Sequence, residues 1–130
     1  MNDEELKIGL AETPGYRYAN QVDDRLYVAG QVPNDSSGKI IGIDNPYKQT
    51  EQCLFNLNLL LKCHGFELID IQRLTVYVVG ESPNLAEAWS AVRSFFPYGV
   101  PPATILGVSA LGYEGQLVEI DTEINRGSRA

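Results

Sequence analysis

The sequence is poor in the residues that bind metals and cross-link chains: it has two cysteines, Cys53 and Cys63, and a single histidine, His64. No Cys-x-x-Cys or His-x-x-x-His pair is present, so a zinc site lacks its usual ligands, and neither a metal nor another cofactor is expected. If both cysteines lie on one helix, about 15 Å of rise separates them, far beyond disulfide reach, and they read as reduced thiols. Positive charge is also scarce. Ten basic residues face seventeen acidic ones, for a net charge of -7. The basic residues Lys7, Arg17, Arg25, Lys39, Lys48, Lys62, Arg73, Arg93, Arg126 and Arg129 are scattered without a cluster. Phosphate neutralisation supplies most nucleic-acid affinity, so no nucleic-acid partner is expected. No apolar run reaches the length of a membrane span, and the start Met1-Asn2-Asp3-Glu4-Glu5 is acidic rather than signal-like. A cytoplasmic protein without membrane contact is the expectation.

What is present suits one ordinary globular domain over residues 1–130, with 44% hydrophobic and 21% charged residues. Residues 1–13 read as a loosely held N-terminal arm, in which alternating Leu6, Ile8 and Leu10 would add a short strand or pack over the domain. After the turn signal Pro14-Gly15, segments 16–22 and 25–32 read as two strands joined at Asp23-Asp24. Leu26 and Val28 would face inward, and Tyr27, Ala29 and Gln31 would share the other face. Segment 33–38 is dense in turn formers, a short irregular strand is expected over 39–43, and this long loop is a functional candidate.

Asn45 as N-cap, Pro46 at the first helical position and Gly65 as the stop predict a helix of about twenty residues. Its stripe is Thr50, Cys53, Leu54, Leu57, Leu60, Leu61 and His64, broadened by Phe55 and Leu59 one turn apart. The cysteines and His64 read as core or edge residues, since burial leaves a thiol inert. A strand is predicted over 71–79. A capping box of Asn84 and Glu87 then opens a second helix, with Leu85, Ala88, Trp89, Val92 and Phe96 as its core stripe.

The proline-rich segment 97–102 leads into two further alternating runs, 103–111 and 118–124, read as a hairpin about the turn 112–115. Gly107 and Ser109 leave one face small enough for a ligand or second chain to approach. Glu119, Asp121 and Glu123 place like charges about 7 Å apart on one face, either a solvated surface or one that a basic partner relieves. Two strands, helix, strand, helix and hairpin is an α+β order, with a mixed sheet and both helices on one face. The other sheet face mixes polar and small residues with Tyr27, Tyr77 and Leu111, a composition suited to a subunit interface.

Pro101-Pro102-Ala103-Thr104, then Gly107-Val108-x-Ala110-Leu111, followed by Val118-Glu119-Ile120-Asp121, resembles the C-terminal signature of the Rid/YjgF family of reactive-intermediate deaminases, also called L-PSP endoribonucleases or translation initiation inhibitors. Tyr16, segment 28–33, segment 49–65 and Asp70-Ile71 leading into 75–78 fall in the family's order, so the resemblance covers roughly residues 14 to 125. It implies a chorismate-mutase-like α+β fold, a homotrimer and clefts between subunits that take a small molecule.

By the same resemblance, Glu119 is the catalytic candidate, positioning a water, and Tyr16 (with Tyr18 a near competitor), Ala29, Ala103 and Thr104 occupy substrate-binding positions. The family's carboxylate-gripping arginine is replaced by Ala103, and its serine before Gly-Gln by Ala29. Loss of a bidentate, charge-assisted grip predicts an altered substrate, unless Arg17, Arg25 or Arg73 reaches the cleft. Three functions follow: hydrolytic deamination of an enamine- or imine-type metabolite, a non-catalytic trimeric ligand-binding or regulatory protein, and, opposed by the charge, endoribonuclease or translation inhibition.

Overall fold

The computed structural model describes residues 2–127; Met1 and residues 128–130, Arg129 included, lie outside them. In chain order the elements are α1 (Asp3–Lys7), β1 (Ala19–Val22), β2 (Arg25–Val28), α2 (Pro46–Cys63), a 3₁₀ turn (Leu68–Asp70), β3 (Ile71–Val79), α3 (Ser82–Phe95), β4 (Ala103–Val108) and β5 (Val118–Asn125). The strands form one mixed sheet in the order β1-β2-β5-β3-β4. This is the expected α+β arrangement.

Local chemistry explains most boundaries. Asp23, at positive φ, makes the tight turn of the β1–β2 hairpin. The Asn45 side chain accepts from the Lys48 N–H, Pro46 opens α2, and Gly65 at φ 80° follows its C-cap. From α2, Cys53, Leu54, Leu57 and Leu61 pack with Ala88 and Val92 of α3 onto Leu74, Val76 and Val78 of β3 and Val118, Ile120 and Ile124 of β5. Trp89 is half-buried against this core, as read from the sequence.

The expected C-terminal hairpin does not form. β4 and β5 lie on opposite sides of β3, β4 parallel to it (Tyr77 beside Leu106) and β5 antiparallel (Tyr77 beside Glu119). Alternation identifies strands without naming their neighbours, and β3–α3–β4 supplies the helical crossover that a parallel pair needs. Gly107 is exposed, and a Cβ there would make ordinary van der Waals contact with the Gly80 carbonyl oxygen at 3.4 Å and Leu85 Cδ1 at 3.8 Å.

Other boundaries also moved. α3 starts at Ser82, not after Asn84, whose side chain instead donates to the Val79 carbonyl at 2.9 Å. Phe55 is 55% exposed and Asn56 is buried in its place, donating to the Val32 and Asn34 carbonyls. Segment 39–43 contributes only an isolated bridge between Asn34 and Ile40.

Among the described residues, no strand forms before Ala19. Residues 3–7 make α1, which packs over the domain; its buried Glu5 carboxylate meets His64 Nε2 at 2.8 Å, and Leu10 and Ala11 are buried beyond it. Tyr18 is likewise buried, donating to the Ala11 carbonyl at 2.8 Å. Burial, with the neighbouring Tyr113 and Glu5, pushes its phenol up to about 12. Above pH 10 the unfolded chain therefore loses this proton before the folded one, and stability drains away as pH rises towards 12. A Tyr18→Phe variant should show a flatter decline in urea-denaturation midpoint between those pH values.

Gln49 is wholly buried at the start of α2. Its amide donates to the carbonyls of Gly42 (3.2 Å) and Gly115 (2.9 Å) and accepts from the Leu117 N–H at 2.7 Å. Gln49→Ala should cost about 2 kcal/mol in urea denaturation, because it leaves the part-buried Gly115 carbonyl and Leu117 N–H without their side-chain partner.

Candidate functional site

Chain path creates the pocket. β2 ends at Val28, the backbone steps out through Ala29-Gly30, and Gln31 rejoins the sheet opposite Ile120. Gln31 is therefore buried rather than sharing a face with Tyr27, its amide donating to the Ala29 carbonyl at 2.8 Å. Beside this step lies a pocket of about 440 Å³, whose lining includes Tyr16, Ala29, Gly30, Tyr113, Gln116 and Glu119.

Glu119 lies against the backbone of Gly30. A Cβ there would come within 2.5 Å of Glu119 Oε2 and 2.9 Å of its Cδ, so a residue without a side chain permits the approach. The other oxygen, Oε1, accepts from Gln116 Nε2 at 3.3 Å. Gln116 is buried; its amide also donates to the Val118 carbonyl (3.0 Å) and accepts from the Tyr113 N–H (3.1 Å). One side chain thus ties the turn at Tyr113 to the carboxylate.

Across the opening, the Tyr16 and Tyr113 hydroxyls are hydrogen-bonded at 3.1 Å, and the Thr13 hydroxyl donates to the Tyr16 carbonyl. Burial, then the bond to Tyr113, pushes the Tyr16 phenol well above its ordinary value, so it remains neutral at physiological pH. Tyr18 does not line this pocket.

The remaining candidates lie elsewhere in the chain. Ala103 sits on β4 beside Leu74 and packs against the core. Thr104 faces the open side of the sheet, its hydroxyl accepting from Arg73 Nη2 at 2.8 Å. Arg73 and Arg25 both approach Glu123 (3.9 and 3.6 Å), relieving part of the acidic row on β5, and neither lines the pocket; nor does Arg17. Cys53 is buried beneath the start of β5, and burial, then Glu119, pushes its thiol up, leaving it protonated and inert. In the loop over 33–38, Asp35 Oδ1 accepts from the Ser37 N–H, the Ser37 hydroxyl and the Lys39 N–H, and the loop does not supply most of the pocket lining.

Gly30, Tyr113 and Gln116 were not singled out from the sequence. A glycine within the extended run 25–32 is a signal for close approach, whereas nothing local marks Gln116. In Gly30→Ala, the Glu119 carboxylate should swing away at a stability cost below about 1 kcal/mol, because it is the free end of a flexible side chain. A crystal structure of the variant and its denaturation curve would check both halves of this expectation.

The family profile described as Endoribonuclease L-PSP matches residues 10–124. The RutC family protein y4sK of Sinorhizobium fredii is 30% identical over 122 residues, covering 91% of this chain and 95% of the relative. The mouse 2-iminobutanoate/2-iminopropanoate deaminase is 29% identical, covering 82% and 77%. The Yersinia pestis YyfA structure, described as a Rid-family protein of unknown function, superposes with a TM-score of 0.81 at 26% identity, covering 92% of this chain and 94% of that one. With the profile spanning most of its length, the chain belongs to the Rid/YjgF family, known also as the L-PSP endoribonucleases.

Proposed function

We propose that this protein hydrolyses a small imine- or enamine-type metabolite in the pocket of Tyr16, Ala29 and Glu119. The observation that carries this reading is the Glu119 carboxylate, set against Gly30, accepting from Gln116 and opening into a pocket with two tyrosine hydroxyls. A carboxylate so placed suits general-base work on a water. Water adds to the carbon of the C=N bond as its proton passes to Glu119. Glu119 returns that proton to nitrogen to give the carbinolamine, then takes the hydroxyl proton and passes it to nitrogen as the C–N bond breaks, releasing ammonia and a carbonyl compound.

Ala103 and Thr104 belong to this site if a second copy presents its β4 edge to the pocket, and a homotrimer is the assembly we favour. The open sheet face supports this, since Tyr27 is 50% and Leu106 36% exposed on it. With Ala103 in place of an arginine, the substrate differs from the 2-imino acids named for the mouse relative. The same replacement favours a second reading, a trimeric ligand-binding or regulatory protein without turnover.

The test is ammonia release from freshly generated 2-iminobutanoate. The natural protein should stay near background and Ala103→Arg should rise above it. Adding Glu119→Gln to Ala103→Arg should remove at least about 100-fold of that gain. An inert Ala103→Arg would transfer support to the binding protein. Turnover by the natural protein would mean that another cation replaces the arginine.

A further inference from the structure

The pocket is rich in hydrogen-bond acceptors and poor in donors. Among the described residues, no lysine or arginine lines it. Gln116 Nε2 is occupied by the Val118 carbonyl and Glu119 Oε1, and Gln31 Nε2 by the Ala29 carbonyl. Each tyrosine brings one hydroxyl, and the contact between Tyr16 and Tyr113 uses one of the two as donor. Left facing the cavity are the carboxylate of Glu119, whose Oε1 receives only a 3.3 Å bond, and the phenolic oxygens.

Arg17, beside Tyr16 in the chain, is exposed and does not line the pocket, and three other arginines are engaged elsewhere. Arg73 is held by Thr104 and Glu123, Arg25 by Glu123 and the ring of Tyr27, and Arg126 by the Gly65 carbonyl, Asp24 and the ring of Phe66. Asp121 on the same strand adds negative charge, and the chain carries -7 overall. An anion entering here meets uncompensated negative charge, whereas a planar cation with paired N–H groups meets a carboxylate matched to it in shape and sign.

We infer that the ligand of this pocket lacks a carboxylate and carries positive charge on a planar C–N group, as in an amidinium, guanidinium or protonated imine. This inference rests on the reading of the Tyr16–Glu119 pocket as the ligand site. The matching contact is a bidentate N–H pair donated to the two oxygens of Glu119, with the Tyr16 and Tyr113 oxygens accepting any further N–H group.

Propionamidinium and propionate are near-isosteric and of opposite charge, so they separate charge from shape. Each is titrated into the ¹⁵N-labelled protein in 150 mM salt, following the backbone amides of Gly30, Tyr113 and Glu119. Propionamidinium should shift these amides saturably and bind at least ten times tighter than propionate. Glu119→Gln should weaken it by at least tenfold, and Tyr113→Phe, which keeps the ring and the charge, by less. Equal or tighter binding of propionate at the same amides would overturn the inferred ligand class while leaving the pocket reading intact. Retention of propionamidinium by Glu119→Gln would overturn the role of the carboxylate. If neither compound moves these amides, the inference and the pocket reading fail together.

Discussion

One buried amide holds the parts of this molecule in register. Gln49, in the first turns of α2, satisfies backbone groups of Gly42, Gly115 and Leu117, so the loop entering the helix and the segment entering β5 share a single anchor. Buried polar groups are stabilising only when fully paired, and here the amide oxygen and both N–H groups find backbone partners. The consequence reaches the pocket. Leu117 precedes Val118 and Glu119, and Gly115 precedes Gln116, so the anchor fixes the start of the strand that carries the carboxylate.

Two sides of one sheet then serve different ends. The side under α2 and α3 is closed by aliphatic residues of β3 and β5. The other carries Arg25, Arg73, Thr104, Asp121 and Glu123, a half-paired set of charges in which Glu123 faces both arginines. Glu119 lies on this strand yet beyond the reach of those arginines, in a recess made where β2 breaks at Ala29-Gly30. The same row of acids is thus neutralised at one end and left free at the other.

Much of the fold was legible residue by residue. Asn45-Pro46 and Gly65 mark the ends of α2, Asp23-Asp24 marks the hairpin, and alternation marks β3, β4 and β5. Pairing was not legible, because a period of two is satisfied equally by β4 beside β5 or by both flanking β3. Asn84 and Glu87 had the spacing of a capping box, yet Asn84 turned back to the Val79 carbonyl and the helix began earlier. At the site, the family pattern pointed to Tyr16, Ala29 and Glu119, which share one pocket, while Ala103 and Thr104 stand apart on β4.

The sequence by itself determined the types of the main elements from β1 to β5, the α+β class, the family and the absence of an arginine at residue 103, since these rest on periodicity, turn chemistry and ordered motifs. Only the tertiary structure decided that β3 divides β4 from β5, that Gly30 admits the Glu119 carboxylate, and that Gln116 and Tyr113 complete the pocket. Those outcomes depend on contacts between segments far apart in the chain. Local pattern carries no information about which backbone will lie beside which.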